Sequence, residues 1–238
     1  MRPNALILNI FPSTVASATF GAMHKGAYLV GIAGGSGSGK TSLVRALRER
    51  LPAGSLCLVS QDDYYRPKHE QVPDTNGVLN FDLPGAVDLD ALVRDVQLLV
   101  AGDTLVRTEY TFNQEGREPR RIEIAPAPVI VVEGLFVLHH EPLRELLDLR
   151  VFVEARLDTQ LRRRLERDRV ERGYGAEEVL YQWEHHVLPA YRNYLEPYRH
   201  HCDLHVVNEQ APTRALEVLG DHLHRAAERV APLTLQSL

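Results

Sequence analysis

A glycine-rich segment constrains the fold of this chain more than any other stretch of its sequence. Residues 34–41 read Gly-Gly-Ser-Gly-Ser-Gly-Lys-Thr and match the pattern G-x-x-x-x-G-K-[ST] without a mismatch. An apolar run at 28–33 precedes the segment, and a helical pattern at 41–51 follows it. A loop of this composition between a buried strand and a helix predicts a phosphate-binding turn, because backbone N–H groups and the helix N-terminus then face an anion.

The alternation of strands and helices continues along the rest of the chain. Short apolar runs predict further buried strands, at 56–60, 129–132, 149–153 and 204–207. Apolar residues at helical spacing predict helices at 87–101, 142–147, 159–172, 176–198 with an interruption near Pro189, and 213–230. Unbroken apolar strands between helices are typical of a parallel sheet that is covered on both faces. We therefore expect an α/β fold, a three-layer parallel sheet of the P-loop NTPase type.

Two segments interrupt this alternation. Residues 66–86 are rich in Pro, Gly, Asn and Asp and predict a long loop, a length that is more often functional than idle. Residues 106–112 and 121–124 predict two short strands, which would form a β-hairpin flap over about 104–125.

The chain length of 238 residues favours one domain, which we expect over 28–231. Residues 1–27 are then an N-terminal extension, or include an upstream start, and 232–238 a C-terminal tail. A signal peptide is the alternative for the N-terminus, but the only positive charge there before Lys25 is Arg2.

Composition excludes several classes of protein. The formal net charge of −5 argues against a nucleic-acid-binding surface that is basic throughout. No apolar run approaches the roughly twenty residues of a membrane-spanning helix, so we expect no membrane partner. The two cysteines, Cys57 and Cys202, suit a reducing compartment, and we expect a cytoplasmic protein.

The phosphate-binding turn supplies the first candidate site residues. The residues expected to bind a nucleotide are Gly34, Gly35, Ser36, Gly37, Ser38, Gly39, Lys40, Thr41 and Ser42. Lys40 would reach the β- and γ-phosphates, and the Thr41 hydroxyl and Glu133, at the end of a predicted strand, would hold Mg²⁺. Lys68 is the last lysine of the chain, so a guanine-reading Asn-Lys-x-Asp element is absent beyond it and ATP is favoured.

A kinase of small molecules needs three further parts: a base for the acceptor hydroxyl, an acceptor pocket and a mobile cationic lid. The stretch Ser60–Pro67, SQDDYYRP, offers two carboxylates for the base. We expect Asp63 to support its turn and both tyrosines, Tyr64 and Tyr65, to pack around the acceptor entrance. Arginines at 164, 167 and 172 can converge on one side of a helix as a lid over about 156–178. A solvated helix laced with Glu–Arg pairs is the alternative for that segment.

Together these motifs resemble the uridine kinase/phosphoribulokinase group of P-loop kinases, and most closely the uridine–cytidine kinases. The resemblance spans about residues 29–207 and includes GIAGGSGSGKTS (31–42), SQDDYY (60–65), NFDLPGAVD (80–88), YTF (110–112), VVEG (131–134) and RRLERDRVERG (163–173). It implies an ATP- and Mg²⁺-dependent transfer to a small nucleoside-like acceptor in pyrimidine salvage. Relatives of this kind often assemble as homo-oligomers, which the resemblance alone suggests for this chain.

The resemblance also implies a role for individual residues. Asp62 would be the base for the ribose 5′-hydroxyl and a neighbour of the magnesium shell, and Asp82 would bind the ribose hydroxyls. Lys40, Arg164 and Arg172 would act on the transferred phosphoryl group. Further contacts to the acceptor would come from Tyr65, Phe81, Tyr110, Phe112, Arg164 and Gln182. By themselves, the aromatic residues are equally explained as core and Asp82 as a turn cap.

Two positions depart from the pattern of the resembling family. Glu115 stands where uridine–cytidine kinases have a histidine that hydrogen-bonds the pyrimidine edge, and Tyr174 stands where many relatives have another arginine. An ionised carboxylate only accepts hydrogen bonds, so Glu115 would suit the amino group of cytosine better than O4 of uracil. A cytidine preference is therefore a hypothesis. The alternatives are another alcohol (a phosphosugar, pantothenate or another nucleoside) or a nucleotide-dependent regulator that is not a kinase.

Overall fold

The computed structural model describes residues 26–112, 118–210 and 213–234. Most of the proposed N-terminal extension, the end of the C-terminal tail and the predicted base contact Glu115 lie outside the described residues. The strands are β1 Tyr28–Gly34, β2 Leu56–Ser60, β3 Leu105–Thr108, β4 Arg121–Ile124, β5 Val129–Gly134, β6 Leu149–Glu154 and β7 Leu204–Val207. The α-helices are α1 Lys40–Arg50, α2 Leu89–Ala101, α3 Glu141–Leu146, α4 Leu157–Glu171, α5 Ala176–Gln182, α6 Leu188–Ala190 and α7 Thr213–Thr234.

Five of the strands form one parallel sheet in the order β2-β5-β1-β6-β7. The central strand β1 pairs with β5 on one side and with β6 on the other. The register places Ser60 beside Glu133 at the carboxyl edge, and Gly34 ends β1 at the same edge. The prediction of a parallel α/β sheet is confirmed, and its carboxyl edge is where ligands bind in such folds.

Alternate residues of the central strands point into two separate cores. On β5, Ile130 and Val132 join the core that α2 covers, whereas Val129 and Val131 join the core under α1 and α7. This period-two division makes both faces of the strand apolar, which is why its sequence is an unbroken apolar run. The helices therefore lie on both faces of the sheet, and the three-layer prediction is confirmed.

Helix α2 begins two residues later than its apolar pattern indicated. Asp88 is its N-cap, and the side chain accepts a hydrogen bond from the Ala91 N–H at 2.9 Å. Gly102 ends the helix with a φ of 99°, a left-handed conformation that favours glycine. A capping aspartate thus fixes the start of the helix that a hydrophobic period alone places only approximately.

The predicted strand 106–112 is wrong in its second half. Strands β3 and β4 form a two-stranded antiparallel ladder that runs only from the pair Leu105–Ile124 to the pair Thr108–Arg121. Beyond it, the Tyr110 N–H donates to Asp63 Oδ1 at 3.4 Å, outside the ladder. The chain leaves the hairpin here because its aromatic side chains pack against the loop that follows β2.

The interruption predicted near Pro189 is also wrong. Helical dihedral angles continue through Trp183 and Leu188, and the stretch widens into π turns at Trp183–Val187 and Tyr191–Leu195. A proline lacks the N–H and crowds the carbonyl four residues earlier, and a wider turn relieves both problems without ending the helix. Among the described helices, none is both long and apolar enough to cross a membrane.

Candidate functional site

A cleft of about 770 Å³ opens at the carboxyl edge of the sheet. The glycine-rich loop forms one wall, the loop 66–86 and residues 110–112 form the other, and α4 lies over both. Of the predicted site residues that the structure describes, all line this cleft except Tyr64 and, in the glycine-rich loop itself, Gly34, Gly35 and Ser38. The tertiary structure thus brings together residues from seven separate segments of the chain.

The glycine-rich loop is held by side chains that the sequence did not identify. Gly39 has a φ of 93°, and a Cβ atom there would lie 2.1 Å from Asn208 Nδ2. That amide nitrogen donates to the Ser38 carbonyl at 2.9 Å. A Cβ atom on Gly37 would lie 2.3 Å from the backbone oxygen of Gln160. Glycine is therefore required by close packing as well as by conformation at these two positions.

Lys40 spans the mouth of this loop. Its Nζ donates to the carbonyl oxygens of Gly34 at 3.0 Å and Gly35 at 3.2 Å. Burial lowers the pKa of Lys40, and the nearby carboxylates of Glu133 and Asp62 act in the opposite direction. The ammonium group therefore lies in an enclosed place with two acidic groups close enough to influence its charge.

Glu133 is an almost completely buried carboxyl group at the end of β5, 5% exposed. Its Oε1 accepts from the Ser60 hydroxyl at 3.3 Å and from the Thr41 hydroxyl at 3.5 Å. Burial raises the pKa of Glu133 to about 7, despite the opposing attraction of Lys40. A buried acid with this pKa has a large cost of ionisation, which marks the position as a functional candidate.

The oxygen donors around Glu133 fit a magnesium ion. Mg²⁺ prefers oxygen ligands and usually keeps waters and substrate phosphate oxygens beside one or two protein groups. The Thr41 hydroxyl and the Glu133 carboxylate lie together as such a pair. In the described parts of the chain, no cluster of three or more His, Cys, Asp or Glu side chains is arranged as a metal site.

Asp62 follows β2 on a short 3₁₀ turn, Gln61–Tyr64. Its N–H donates to Ser60 Oγ at 3.3 Å, and its carboxylate raises the pKa values of both Lys40 and Glu133. Buried Gln61 fixes the turn, because its Oε1 accepts from the Phe136 N–H at 2.7 Å. Asp62 is therefore held between the glycine-rich loop and the acceptor side of the cleft.

The two tyrosines of this stretch face different ways. Tyr64 is 2% exposed, donates its hydroxyl to Asp95 at 2.8 Å and has the Arg107 guanidinium 3.9 Å from its ring centre. The prediction that Tyr64 packs around the acceptor entrance is therefore wrong, because the 3₁₀ turn directs this side chain into the core. Tyr65 lines the cleft. Asp63 joins the turn to the segment after β3 through the Tyr110 N–H.

An aromatic wall of four residues, Tyr65, Phe81, Tyr110 and Phe112, bounds the acceptor side. The ring centres lie 5.3 Å apart for Tyr65–Tyr110, 5.4 Å for Tyr65–Phe112, 5.0 Å for Tyr110–Phe112 and 6.1 Å for Tyr65–Phe81. These distances are those of favourable tilted and edge-to-face aromatic pairs. The Arg172 guanidinium lies 3.7 Å from the Phe112 ring centre and extends the wall with a cation.

Three arginines, two in α4 and one directly after it, converge on one buried carboxylate, Asp168, which is 0% exposed. Arg167 Nε donates to it at 2.8 Å, and its oxygens lie 3.1 Å from Arg164 Nε and 3.5 Å from Arg172 Nη1. Sequence reasoning gave Asp168 no role in the site. Its spacing of four residues from both Arg164 and Arg172 is the signal that could have identified it.

Arg164 connects α4 to both sides of the cleft. It donates to Ser36 Oγ of the glycine-rich loop and to Gln182 Oε1, each at 3.0 Å. Its Nη1 lies 3.7 Å from Asp82 Oδ1, and both side chains are more than nine-tenths buried. Arg163, which sequence reasoning missed, donates to the carbonyl oxygens of Gly37 and Ser38 at 3.4 Å. One helix thus contacts the phosphate side and the acceptor side together.

Comparison with known proteins agrees with this arrangement. The phosphoribulokinase/uridine kinase family model matches residues 29–216. A uridine kinase of Brevibacillus brevis is 34% identical over 193 residues, 81% of this chain and 90% of that protein. A uridine kinase of Deinococcus deserti is 34% identical over 197 residues, 83% of this chain and 95% of that protein. The solved D-glycerate 3-kinase of Cryptococcus neoformans var. grubii shares the fold, with a TM-score of 0.51 at 17% identity over 70% of this chain and 78% of that one. Because the family model covers most of this chain and the two uridine kinases are 34% identical to it over the matched residues, the chain belongs to the phosphoribulokinase/uridine kinase family of P-loop kinases.

Proposed function

We propose that this protein is an ATP-dependent kinase that transfers the γ-phosphoryl group to the 5′-hydroxyl of a pyrimidine nucleoside. The observation that carries the proposal is the placement of two carboxylates, Asp62 and Asp82, in one cleft between the phosphate loop and an aromatic wall. The uridine kinases among its relatives support the nucleoside as acceptor.

The phosphate half of the cleft suits a nucleoside triphosphate. Backbone N–H groups of the glycine-rich loop and the N-terminus of α1 face an anion there, and Lys40 would neutralise the β- and γ-phosphates. Mg²⁺, when bound with the nucleotide, would neutralise charge on the phosphate oxygens. Thr41 and Glu133 are the residues that would hold it, and Lys40 favours the ionised form of Glu133 that this requires.

Asp62 is the group that would take the acceptor proton. A hydroxyl becomes a better nucleophile when a carboxylate accepts its proton as the new bond to phosphorus forms. Asp62 lies in the cleft beside Lys40 and Glu133, where the transferred group would be. Asp63, its neighbour, is committed to the turn and the Tyr110 N–H, which leaves Asp62 as the acid that faces the reaction.

The acceptor half offers contacts for a flat ring and a diol. The wall formed by Tyr65, Tyr110 and Phe112 presents ring faces and edges to a planar base. Asp82 can accept hydrogen bonds from ribose hydroxyls, and Arg164 beside it can donate. This pairing of a stacking surface with an acceptor–donor pair favours a nucleoside over an acceptor without a ring.

The lid arginines would stabilise the transferred group. Catalysis of phosphoryl transfer depends on cations that are already in place around the charge that develops. The shared carboxylate of Asp168 fixes the guanidinium groups of Arg164 and Arg172, so little reorganisation is needed on substrate binding.

The choice of base is a finer part of the proposal. Glu115 lies outside the described residues, so the preference for cytidine is supported only by the chemistry of the residue. A carboxylate accepts from the cytosine amino group, whereas histidine at this position could also donate to O4 of uracil.

An acceptor panel with ATP and Mg²⁺ tests these statements together. Uridine, cytidine, other nucleosides, phosphosugars and pantothenate are compared for the wild type, for Asp62→Asn and for Glu115→His. We expect a pyrimidine nucleoside to be the best acceptor and Asp62→Asn to lower kcat by about 10²–10⁴-fold while nucleotide still binds. Asp63→Asn is the matched control, because asparagine keeps the oxygen that receives the Tyr110 N–H, and its activity should stay near that of the wild type.

Each part of the proposal has an outcome that opposes it. Full transfer by Asp62→Asn would remove Asp62 as the base. A phosphosugar or pantothenate as best acceptor would replace the nucleoside assignment, and ATP hydrolysis with no acceptor would argue for a regulator. If uridine is a better substrate than cytidine for the wild type, the cytidine preference is wrong. If cytidine is the better substrate, Glu115→His should shift the preference toward uridine.

A further inference from the structure

The tip of the loop 66–86, here called the acceptor loop, is a tight hairpin built around Asp74. The Asp74 N–H donates to the Val78 carbonyl at 2.8 Å, and Pro73 and Leu79 form an isolated bridge. Asp74 Oδ1 accepts from the backbone N–H groups of Asn76 at 2.8 Å and Val78 at 2.9 Å. One carboxylate oxygen is therefore sufficient to hold the turn, and the other is available for a different contact.

The second oxygen, Asp74 Oδ2, binds the helical stretch that follows the lid. It accepts from the Tyr181 hydroxyl at 2.7 Å and contacts His186 Nε2 at 2.8 Å. Asn76 Nδ2 donates to the same Tyr181 hydroxyl at 2.7 Å. Hydrogen bonds from Tyr181 and then His186 hold the pKa of Asp74 well below its ordinary value. Because an ionised carboxylate only accepts, we assign a ring proton to Nε2 of His186.

The burial of the His186 and Asp74 side chains indicates that their contact does more than hold a surface loop in place. The His186 side chain is 1% exposed and Asp74 is 15% exposed. A histidine with so little exposure needs a partner for its N–H, and here the partner comes from the acceptor loop. His186 also lines the cleft, so this contact lies at the site and not on a remote surface.

The acceptor loop is attached to the same helical stretch at a second place. Gln182, between Tyr181 and His186, accepts from Arg164, and Arg164 lies 3.7 Å from Asp82 at the other end of the loop. Leu79 and Phe81 lie between the two attachments and line the cleft. The position of these acceptor-facing residues therefore depends on both ends being fixed.

We propose that Asp74, Tyr181 and His186 form a latch that holds the acceptor loop against α5 and the π turn after it, and that this latch sets the affinity for the acceptor. The inference rests on the proposed function, since it concerns the acceptor side of that site. Asp74 and His186 act here as positioning residues: they order the loop that carries Phe81 and Asp82. Among the described residues, no hydrogen bond or ion pair joins Asp74, Tyr181 or His186 to the glycine-rich loop, so we expect nucleotide affinity to be independent of the latch.

Asp74→Asn separates the latch from the turn. Asparagine retains Oδ1, which receives the two backbone N–H groups, but places an NH₂ group opposite the Tyr181 hydroxyl and the His186 N–H. We expect KM for the nucleoside to rise about tenfold or more, as for loss of a charge-assisted hydrogen bond, with KM for ATP unchanged and kcat nearly so. Amide hydrogen exchange of residues 72–80 should become faster. Asp103→Asn, an exposed aspartate after α2, is the matched control.

Two variants of His186 complete the test. Glutamine can still donate a hydrogen bond to Asp74, so His186→Gln should keep the KM for the nucleoside near the wild-type value. Phenylalanine fills the space without a donor, so His186→Phe should raise this KM as Asp74→Asn does. The latch is refuted if acceptor KM stays within twofold in Asp74→Asn, if glutamine fails as phenylalanine does, or if KM for ATP rises in parallel. A wild type that phosphorylates no nucleoside refutes the proposed function instead. Unchanged exchange at 72–80 in Asp74→Asn refutes the latch independently of activity.

Discussion

Replacing Glu133 by glutamine should make the protein more stable and less active. Glutamine has the shape of the protonated acid and keeps an oxygen for the Ser60 and Thr41 hydroxyl groups. It removes the charge that a carboxyl group only 5% exposed must carry when it ionises. If Glu133 holds Mg²⁺, the charge that destabilises the fold is the charge that the reaction needs.

The size of the effect follows from the pKa of Glu133. Burial raises that pKa to about 7 from an ordinary value of 4.5, and this value already includes the attraction of Lys40. The difference of about 2.5 corresponds to about 3 kcal/mol of unfolding free energy. Between the two pKa values the folded state binds more protons than the unfolded state, so wild-type stability falls as pH rises from about 4.5 to 7 and stays low above it.

Urea unfolding of the wild type and Glu133→Gln, without Mg²⁺ or nucleotide, measures this directly. The variant should be more stable by less than about 1 kcal/mol at pH 5 and by about 3 kcal/mol at pH 8. At pH 8 the melting temperature should rise by about 6–12 °C for a chain of this length. Glu123→Gln, on the exposed face of β4, is the control and should show no pH-dependent gain.

Two results would refute this reasoning. Equal stability of the wild type and Glu133→Gln at pH 8 would mean that ionised Glu133 carries no cost. A stability gap of the same size at pH 5 and pH 8 would mean that the gain comes from packing and not from charge. Retained Mg²⁺-dependent activity in Glu133→Gln would separately remove its proposed role with the metal.

Three further substitutions test the contacts around the site. Asp168→Asn should lower the unfolding free energy by about 3 kcal/mol with little dependence on salt, because it leaves buried guanidinium groups without their shared carboxylate; a loss below about 1 kcal/mol by urea unfolding would oppose this. Tyr64→Phe should cost about 1 kcal/mol through the lost bond to Asp95 and leave acceptor KM unchanged, so a raised KM would place the residue at the acceptor. Gly134→Ala should destabilise by about 1–3 kcal/mol, since its Cβ would lie 2.3 Å from Gln61 Cβ, and wild-type stability would show that the turn after β2 can move.

The sequence predicted most of the fold because its signals are local and strong. Apolar runs located the sheet strands, and the glycine-rich segment fixed the first strand, loop and helix in order. Its errors fall where tertiary contacts override a local pattern. The strand predicted at 106–112 is cut short because Tyr110 and Phe112 pack against Tyr65, and the helix at Pro189 continues because π turns accommodate the proline.

Sequence analysis predicted the phosphate side of the site in more detail than the acceptor side. On the phosphate side, one contiguous motif carries the chemistry, so Lys40 and Thr41 could be named from the sequence alone. On the acceptor side, the resemblance named Asp82 and Phe112, but the residues that hold them come from distant parts of the chain. The roles of Asn208 and Asp74 in the site gave no local signal, because the contacts that define these roles are to residues more than a hundred positions away.

The sequence by itself determined the order of elements, the parallel sheet and the phosphate loop, since hydrophobic period and glycine spacing are properties of neighbouring residues. Only the tertiary structure decided that Tyr64 turns into the core while Tyr65 lines the cleft, and that Asp168 is a buried centre for three arginines. It also decided that Asp74 reaches His186 across the acceptor loop. These features depend on burial and on contacts between segments far apart in the chain, and the free energy of a charge or hydrogen bond is set by those surroundings.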